Sequence, residues 1–412
     1  MQAVILAAGR SSRFWPLNKK HKSLISILGR PLIFYTIESL RKSGVKDIII
    51  VQGPKKDIQA ALKEFNLKVR YVTQNKPLGT GDALWRARNF IRDPFVLIGA
   101  HKIDGENYLG RLLEKFKKNK GKIVFLASKT DRPWEFGILD FKESGKILRV
   151  VENPKKGREP SKIKTNEVYL IPPNFLNYCK KVPLTEDSLI KAFNLFIKKE
   201  GAKAVVLKEE TISLKYPWET LKALNFLLKS KHLKRKILSK SLGKNVILEG
   251  KVYIGKNVQI RENTVIKGPC YIGDNCQIGS NNLVRGSVNL EKGVVTGSFA
   301  EIKNSLFQEN SHIHSGYFGN LILGRNCRFG AGFISANRRL DREEIKSMVK
   351  GKKIGTGLTY FGGVIGDNSY FGIRVSLMPG VLVGSGCKIG PNSLILENIP
   401  DKTTFYNKFY KG

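Results

Sequence analysis

Three stretches of this sequence hold residues whose types and spacing can do chemistry. The first is Leu6-Ala7-Ala8-Gly9-Arg10-Ser11-Ser12-Arg13, followed by Pro16-Leu17 and Lys22. A strand-like run that ends in such a loop can turn backbone N–H groups on a phosphate, with Arg13 and Lys22 to neutralise it. An ordinary turn with solvated charges is the plainer alternative. The second is Gln74-Asn75-Lys76-Pro77-Leu78-Gly79-Thr80-Gly81-Asp82-Ala83. Gly79 permits a close backbone approach, and the Gln74 amide can read the edge of a base. The third holds His312 and His314. The two can be a metal pair, although no further ligand cluster accompanies them, or His314 can be a histidine in a surface loop.

Cysteines are the remaining candidates. Four of the five, Cys270, Cys276, Cys327 and Cys387, each lie four residues after an apolar residue (Ile266, Ile272, Leu323, Val383). No C-x-x-C pair occurs, so core packing of free thiols is the expectation over a metal or redox cluster.

The elements that must position these residues show two periods. From Leu248 onward, Leu248, Ile254, Ile260, Ile266, Ile272, Ile278, Val284, Leu290 and Ile302 recur every six residues, with Thr296 the one polar member. Small or β-branched residues follow four places later, and turn residues such as Gly255-Lys256-Asn257 fill the gaps. The hexad returns at Phe371, Leu377, Val383, Ile389 and Ile395. A helix needs a period of about 3.6 and a lone strand one of about 2. A period of six with intervening turns is the signature of a parallel β-helix.

Upstream, strand and helix patterns alternate. Strands are expected at 3–8, 47–51, 69–72, 95–98 and 123–127, and helices at 31–43, 55–65, 80–91, 107–118 and 218–229. This βαβ alternation implies a mostly parallel sheet with ligands at the carboxyl ends of its strands. The expected domains are 1–228, a basic linker 229–244, and a β-helix 245–412 interrupted by an irregular basic insertion at 338–358.

The chain has 412 residues, 41% of them apolar, and a net charge of +38. Its apolar runs are strand-length, so no membrane span is expected, and no basic region or cleavage site marks a secretory signal. A cytoplasmic protein is the expectation. The charge favours polyanions such as nucleic acid or phosphate-rich small molecules. It is mostly Lys spread over both halves, and no helix-turn-helix, RNP or zinc-finger pattern accompanies it, so no specific nucleic-acid partner is expected.

Together the two N-terminal motifs and the hexads resemble the archaeal-type bifunctional sugar-1-phosphate nucleotidyltransferase/glucosamine-1-phosphate acetyltransferases, relatives of the bacterial enzymes that make UDP-N-acetylglucosamine. The family patterns are roughly LAAGxGxRxxPL…PK and Q…GTxxA, with a hexapeptide domain behind them, and the resemblance covers nearly the whole chain. It implies a Rossmann-like nucleotidyltransferase domain followed by a left-handed parallel β-helix. It implies that Gly9, Arg13 and Lys22 serve the phosphates, Arg13 and Lys22 catalytically. Gln74, Gly79 and Thr80 would hold the nucleotide base, and Gly137 and Glu152 the sugar.

In the β-helix the matching stretches are Glu301-Ile302-Lys303, His314 to Asn320, and Gly330 to Asn337. The resemblance assigns His314 as the catalytic base that accepts a proton from an amine attacking the thioester of acetyl-CoA, a task suited to an imidazole titrating near about pH 6.5. Arg285 and Lys303 would hold sugar phosphate, Tyr317 the sugar, and Ala331 and Asn337 the acetyl-CoA side. It further implies a homotrimer, since neighbouring prisms complete each acetyl-transfer site in the family.

The sequence departs from the family in the first domain. The strand-end Gly-Asp whose Asp binds Mg²⁺ reads Ala100-His101, and the second metal position reads Ser213. The sugar-binding NAGIY reads Thr165-Asn166-Glu167-Val168-Tyr169, and PK reads His21-Lys22. Mg²⁺ prefers carboxylate oxygens, for which an imidazole and a hydroxyl are poor replacements. Asp104 lies close in sequence but is expected to face away. The preferred reading is therefore an acetyltransferase whose first domain is degenerate and serves for binding a sugar phosphate and UTP or another NTP, or for regulation, with Mg²⁺ required only if that domain turns over. A fully bifunctional enzyme making UDP-N-acetylglucosamine or another nucleotide sugar is the alternative, and a non-catalytic trimeric scaffold or polyanion binder is a third.

Overall fold

The computed structural model describes residues 1–407. The chain forms two compact units. The first comprises Met1–Arg10 and Pro31–Ser213, and the second joins Ser11–Arg30 to the chain from Leu214 onward. Compactness thus divides the chain near 213 rather than 228, and a segment from the start of the sequence belongs to the second unit.

Continuous apolar runs make the first unit's sheet. Its strands are β1 Gln2–Ala7, β2 Asp47–Gln52, β3 Arg70–Thr73, β4 Phe95–Gly99, β5 Ile123–Lys129, β6 Gly137–Phe141, β7 Ile147–Glu152, β8 Ile163–Ile171 and β9 Ala202–Leu207. The spatial order is β9-β5-β8-β4-β1-β2-β3. Every neighbour pair in it is parallel except those of β8, which runs antiparallel to β4 and β5. The hairpin β6–β7 attaches to β8. Val4, Ile5, Ile49, Leu97 and Phe125 are wholly buried, as strands covered on both faces require. Phe125, Tyr169, Phe175, Phe193 and Phe196 pack ring against ring beside them.

Helix α1, Leu32–Lys42, begins after Pro31 and stops before Gly44, which takes a positive φ of 84°. The helices expected over 55–65 and 80–91 are shorter: α2 Asp57–Leu62 and α3 Thr80–Ala87 each end in a tighter turn, Lys63–Phe65 and Arg88–Phe90. The helix expected from 107 starts two residues later, as α4 Leu109–Lys117, after a turn at Gly105–Asn107.

The second unit is built on a left-handed β-helix whose three sheets hold 8, 9 and 8 parallel strands. It starts earlier than its hexads indicate, because Lys236–Ile237 already pairs with Tyr253–Ile254 and Ser241–Leu242 with Gln259–Ile260. Most of the expected linker is thus the first coil. Ile254, Ile272 and Leu290 stack directly, three hexads per coil. Asparagines at the corners adopt left-handed φ, among them Asn245, Asn257, Asn263 and Asn275. Their amides bond from coil to coil, Asn245 to Asn263 at 3.1 Å and Asn257 to Asn275 at 3.2 Å.

The hexad then fails for a structural reason. The stacked pairs Leu290–Phe307, Ile302–Phe318 and Ile313–Phe329 show the coil shortening by one residue and then two. The shortened sides contain His314 to Asn320. Larger rings, Phe307, Phe318, Phe329, Phe333 and Phe371, fill the core there. The insertion at 338–358 is not wholly irregular, since Lys346–Val349 and Lys352–Gly355 pair as an antiparallel hairpin. Buried Ser347 ties it down by donating to the Gly380 carbonyl at 2.6 Å.

All five cysteines are free and buried. Burial pushes the Cys276 and Cys327 thiols up to about 12. They are packing groups, inert as nucleophiles.

Candidate functional site

In the first unit the chemical residues gather at the carboxyl ends of the strands. Gly9 follows β1, and the space where its Cβ would stand is open to 4 Å. Gln74 follows β3 and is buried; its amide nitrogen donates to the Asp82 carboxylate at 2.7 Å and to the Gly79 carbonyl at 3.0 Å. Arg86 holds the other oxygen of Asp82 at 3.1 Å. Both amide hydrogens of Gln74 therefore serve the loop itself, leaving its carbonyl for a ligand. Gly79 has φ of 94°, and an added Cβ would stand 2.8 Å from the Glu186 Cα. The close approach that Gly79 permits is to the chain's own backbone. Thr80 opens α3 and is exposed.

Gly137 and Glu152 face each other across β6 and β7. A Cβ at Gly137 would meet the Glu152 carboxylate at 2.7 Å and the Thr165 hydroxyl at 3.2 Å. The structure thus brings both expected sugar residues onto one patch with β8. Beside them Asn166 is buried, and its amide nitrogen has no hydrogen-bond partner, while its oxygen accepts from Ser128 at 3.2 Å. An orphaned buried donor is costly unless a ligand satisfies it. The sequence reading did not select Asn166; its signal was a polar pair, Asn166-Glu167, inside an otherwise strand-like run.

The metal positions of the family are chemically altered. His101 is 3% exposed, with Nε2 3.5 Å from the Glu167 carboxylate. Glu167 stands at φ of 54° where β8 breaks register with β5, a left-handed conformation costly for a residue with a side chain. Asp104 accepts from the Ile212 N–H at 2.8 Å and the Tyr108 hydroxyl at 3.2 Å. Burial raises its pKa, against the opposing pull of Lys102. Lys102, also buried, donates to the Ile212 carbonyl at 3.2 Å, next to Ser213. Asp104 is bound up in the chain's own contacts, and the carboxylate nearest His101 already faces its imidazole. Among the described residues no group of three or more His, Cys, Asp or Glu is placed to hold a metal ion. The residues at the two family positions do not fit Mg²⁺.

Arg13 and Lys22 lie in the second unit, on Ser11–Arg30. Arg13 is exposed, whereas Lys22 donates to the Leu214 carbonyl at 2.6 Å.

On the β-helix the expected acetyl-transfer residues share one sheet. Arg285, Lys303 and Gly319 stack in register, as do Glu301, Tyr317 and Ile334. Arg285 pairs with Glu301 at 2.6 Å. Tyr317 accepts from the Asn337 amide at 3.1 Å, and Asn337 also reaches Asn320 at 2.8 Å. His314 is exposed at the corner before this sheet, its backbone N–H donating to the Phe329 carbonyl at 3.0 Å. His312 lies against Arg328 at 3.2 Å, on a different sheet, and desolvation with that guanidinium lowers its pKa. His312 is engaged with Arg328, and among the described residues neither histidine stands in a group of three or more His, Cys, Asp or Glu placed to hold a metal ion. Ala331 sits at the next corner, its carbonyl accepting from the Arg374 backbone N–H at 2.7 Å.

Two further residues shape this face. A Cβ at Gly319 would stand 2.5 Å from the Tyr317 hydroxyl and 2.6 Å from the Asn337 amide, so only glycine lets these meet. Tyr360 lies under both Lys303 and Arg338, at 5.5 and 4.8 Å from its ring centre. It is 57 residues from Lys303 in sequence, beyond the reach of a local motif.

A nucleotidyltransferase sheet and a hexapeptide β-helix in one chain, each with polar residues converging on one face, define the class of two-domain nucleotidyl- and acyltransferases. Residues 2–218 match the nucleotidyl transferase family. Residues 362–397 match the bacterial transferase hexapeptide (six repeats), and 269–297 the hexapeptide repeat of succinyl-transferase. The chain is 36% identical over 416 residues to a "Bifunctional protein GlmU" of Methanococcus maripaludis strain C7, covering 99% of this chain and 98% of that one. It is 30% identical over 422 residues to a "Bifunctional sugar-1-phosphate nucleotidylyltransferase/acetyltransferase" of Sulfurisphaera tokodaii, covering all of both. The chain belongs to this family of bifunctional transferases.

Proposed function

We propose that the β-helix N-acetylates a hexosamine-1-phosphate, glucosamine-1-phosphate foremost, from acetyl-CoA, and that the first domain binds a sugar phosphate and UTP or another NTP but turns them over slowly. One observation carries the second half: where the family holds Mg²⁺ with carboxylates, this chain presents a buried imidazole facing Glu167, and a serine. Phosphoryl transfer depends on charge neutralisation at that place. The alternative of full bifunctionality rests on the retained Gly9, Gln74, Gly137 and Glu152.

In acetyl transfer the amine nitrogen bonds to the acetyl carbon and the C–S bond breaks. The amine proton passes to His314 and then to the departing sulfur. Arg285 and Lys303 hold the phosphate, Tyr317 orients the sugar, and Ala331 and Asn337 border the acetyl-CoA. We read the assembly as a homotrimer. Ile247, Ile334 and Leu394, outward on the sheet of Tyr317, are each more than 40% exposed, and Phe299 near its corner is 71% exposed, an apolar face that a second copy would cover. Among the described residues no helix is long and apolar enough to cross a membrane. A reducing cytoplasm is consistent with five unpaired thiols.

The test supplies purified protein with glucosamine-1-phosphate and acetyl-CoA and measures free CoA. UTP and Mg²⁺ are then added and pyrophosphate is measured. Rapid CoA release with slow pyrophosphate release is expected. Robust Mg²⁺-dependent pyrophosphate release would establish the bifunctional alternative. Light scattering that shows a monomer at micromolar concentration would remove the shared site.

A further inference from the structure

Three side chains on the β-helix have no part in the acetyl-transfer face and are buried although polar: Gln308, Asn289 and Glu291, at 3%, 0% and 2% exposure. Buried polar groups need partners, and theirs lie on the segment Ser11–Arg30. Gln308 accepts from the Ser26 N–H at 3.1 Å and donates to the Ser26 carbonyl at 2.8 Å. Asn289 accepts from Leu28 at 2.8 Å, and Glu291 from Gly29 at 3.2 Å. Asn289 also donates to Glu291 at 2.8 Å, so the two receptors are locked to each other.

The pattern extends along the prism. Trp15 donates to Asp401 at 3.2 Å, Ser385 donates to the Pro16 carbonyl at 3.4 Å, and Arg325 reaches the Leu24 carbonyl at 3.5 Å. Read from Trp15 to Gly29, the partners descend from 401 through 385, 325 and 308 to 289 and 291. The segment is a strap laid across successive coils. Its end is shaped for the purpose. Leu28 and Gly29 both have positive φ, 55° and 71°, which turns their N–H groups onto Asn289 and Glu291. A Cβ on Gly29 would stand 2.6 Å from the Tyr271 hydroxyl.

This strap carries Arg13 and Lys22. We propose that the β-helix positions the phosphate-binding segment, with Gln308, Asn289 and Glu291 as positioning residues that act through the Ser26–Gly29 backbone. Any nucleotide-phosphate contact made by Arg13 and Lys22 would then depend on side chains of the β-helix. This inference rests on the reading of Arg13 and Lys22 as phosphate ligands.

The test uses the full chain and its Gln308→Leu, Glu291→Leu, Glu291→Gln and Gly29→Ala variants. UTP affinity is measured by calorimetry, amide exchange over 11–30 by mass spectrometry, and acetyl transfer as the check on the β-helix. Gln308→Leu and Glu291→Leu each leave buried backbone groups unpaired, so exchange rises over 26–29 and UTP affinity falls by about tenfold or more. Glu291→Gln keeps the acceptor and restores both. Gly29→Ala disturbs the same contact from the strap side, so it reports even if a β-helix variant fails to fold. Acetyl transfer stays at the parent level. Unchanged UTP affinity in Gln308→Leu, Glu291→Leu and Gly29→Ala overturns the positioning role, whether or not exchange rises. Arg13→Ala and Lys22→Ala separate the two ideas. If both weaken UTP while the strap variants do not, the anchor alone is wrong. If neither does, the phosphate reading falls and the proposal falls with it.

Discussion

The two candidate sites differ in how their polar groups are spent. On the β-helix face, Tyr317, Asn337 and Asn320 bond to one another around a glycine that makes room for them, while His314 stands exposed at the corner beside them. The face is ordered yet leaves that imidazole accessible. At the strand ends of the first unit the groups nearest the chemistry are consumed: Asp104 by Ile212 and Tyr108, Gln74 by Asp82, and Glu167 by His101. What remains open there is Gly9, the Gln74 carbonyl and the orphaned Asn166 amide, groups that bind rather than polarise. On the proposed reading the first site keeps the geometry of recognition without the charges of catalysis, because hydrogen bonds need only direction whereas phosphoryl transfer needs cations held where negative charge develops.

The sharpest break of that comparison is His314→Ala. Loss of the base is expected to lower acetyl transfer by about 10²-fold or more with the fold intact, measured as CoA release. His312→Ala, on another sheet beside Arg328, should cost far less; equal losses would mean the base is misplaced.

The second prediction tries to convert one site into the other kind. His101→Asp with Ser213→Asp returns carboxylates to the two altered positions and should raise Mg²⁺-dependent pyrophosphate release by about tenfold or more. No gain, with Mg²⁺ shown to bind, would mean that these two positions do not limit turnover.

Glu167→Gly is a third, smaller probe. It relieves a left-handed φ on a residue with a side chain and is expected to stabilise the protein by about 1 kcal/mol in thermal or urea unfolding. Destabilisation would mean the contact with His101 is worth more than the strain.

The last probe is the pH dependence set by Glu291. Burial lifts its carboxyl from 4.5 to about 7, with Glu309 adding to the rise and Asn289, Gly29 and Arg325 opposing it. Between those values the native state holds a proton that the unfolded chain has lost. This group's contribution is therefore full below about pH 4.5, falls as pH rises, and is gone above about 7. Glu291→Gln should lose less stability than the parent between pH 5 and 7.5; identical slopes would show that Glu291 does not titrate in that window.

Much of this molecule was determined by the sequence alone, where one period or one local rule dominates. The hexads from Leu248 to Ile302 fix the β-helix because a repeat of six admits no other way to bury every corner. Pro31 and Gly44 bracket α1 because each residue's backbone limits act locally. The cysteines read as core because their slot recurs. Gly137 and Glu152, fifteen residues apart, were picked out by resemblance and do meet across a hairpin. Other features only the tertiary structure decided. Whether Asp104 was free, what Gly79 approaches, and that Tyr360 lies beneath Lys303 depend on residues tens of positions away. So does the early start of the β-helix, where Lys236–Ile237 has no hexad of its own and is recruited by pairing with the coil above. Least legible was the strap. Ser11–Arg30 reads as the loop of one domain, and nothing in its own sequence says that its backbone bonds are completed by Gln308, Asn289 and Glu291, nearly three hundred residues on. Backbone donors carry no sequence signature, so their partners become visible only once the chain is folded.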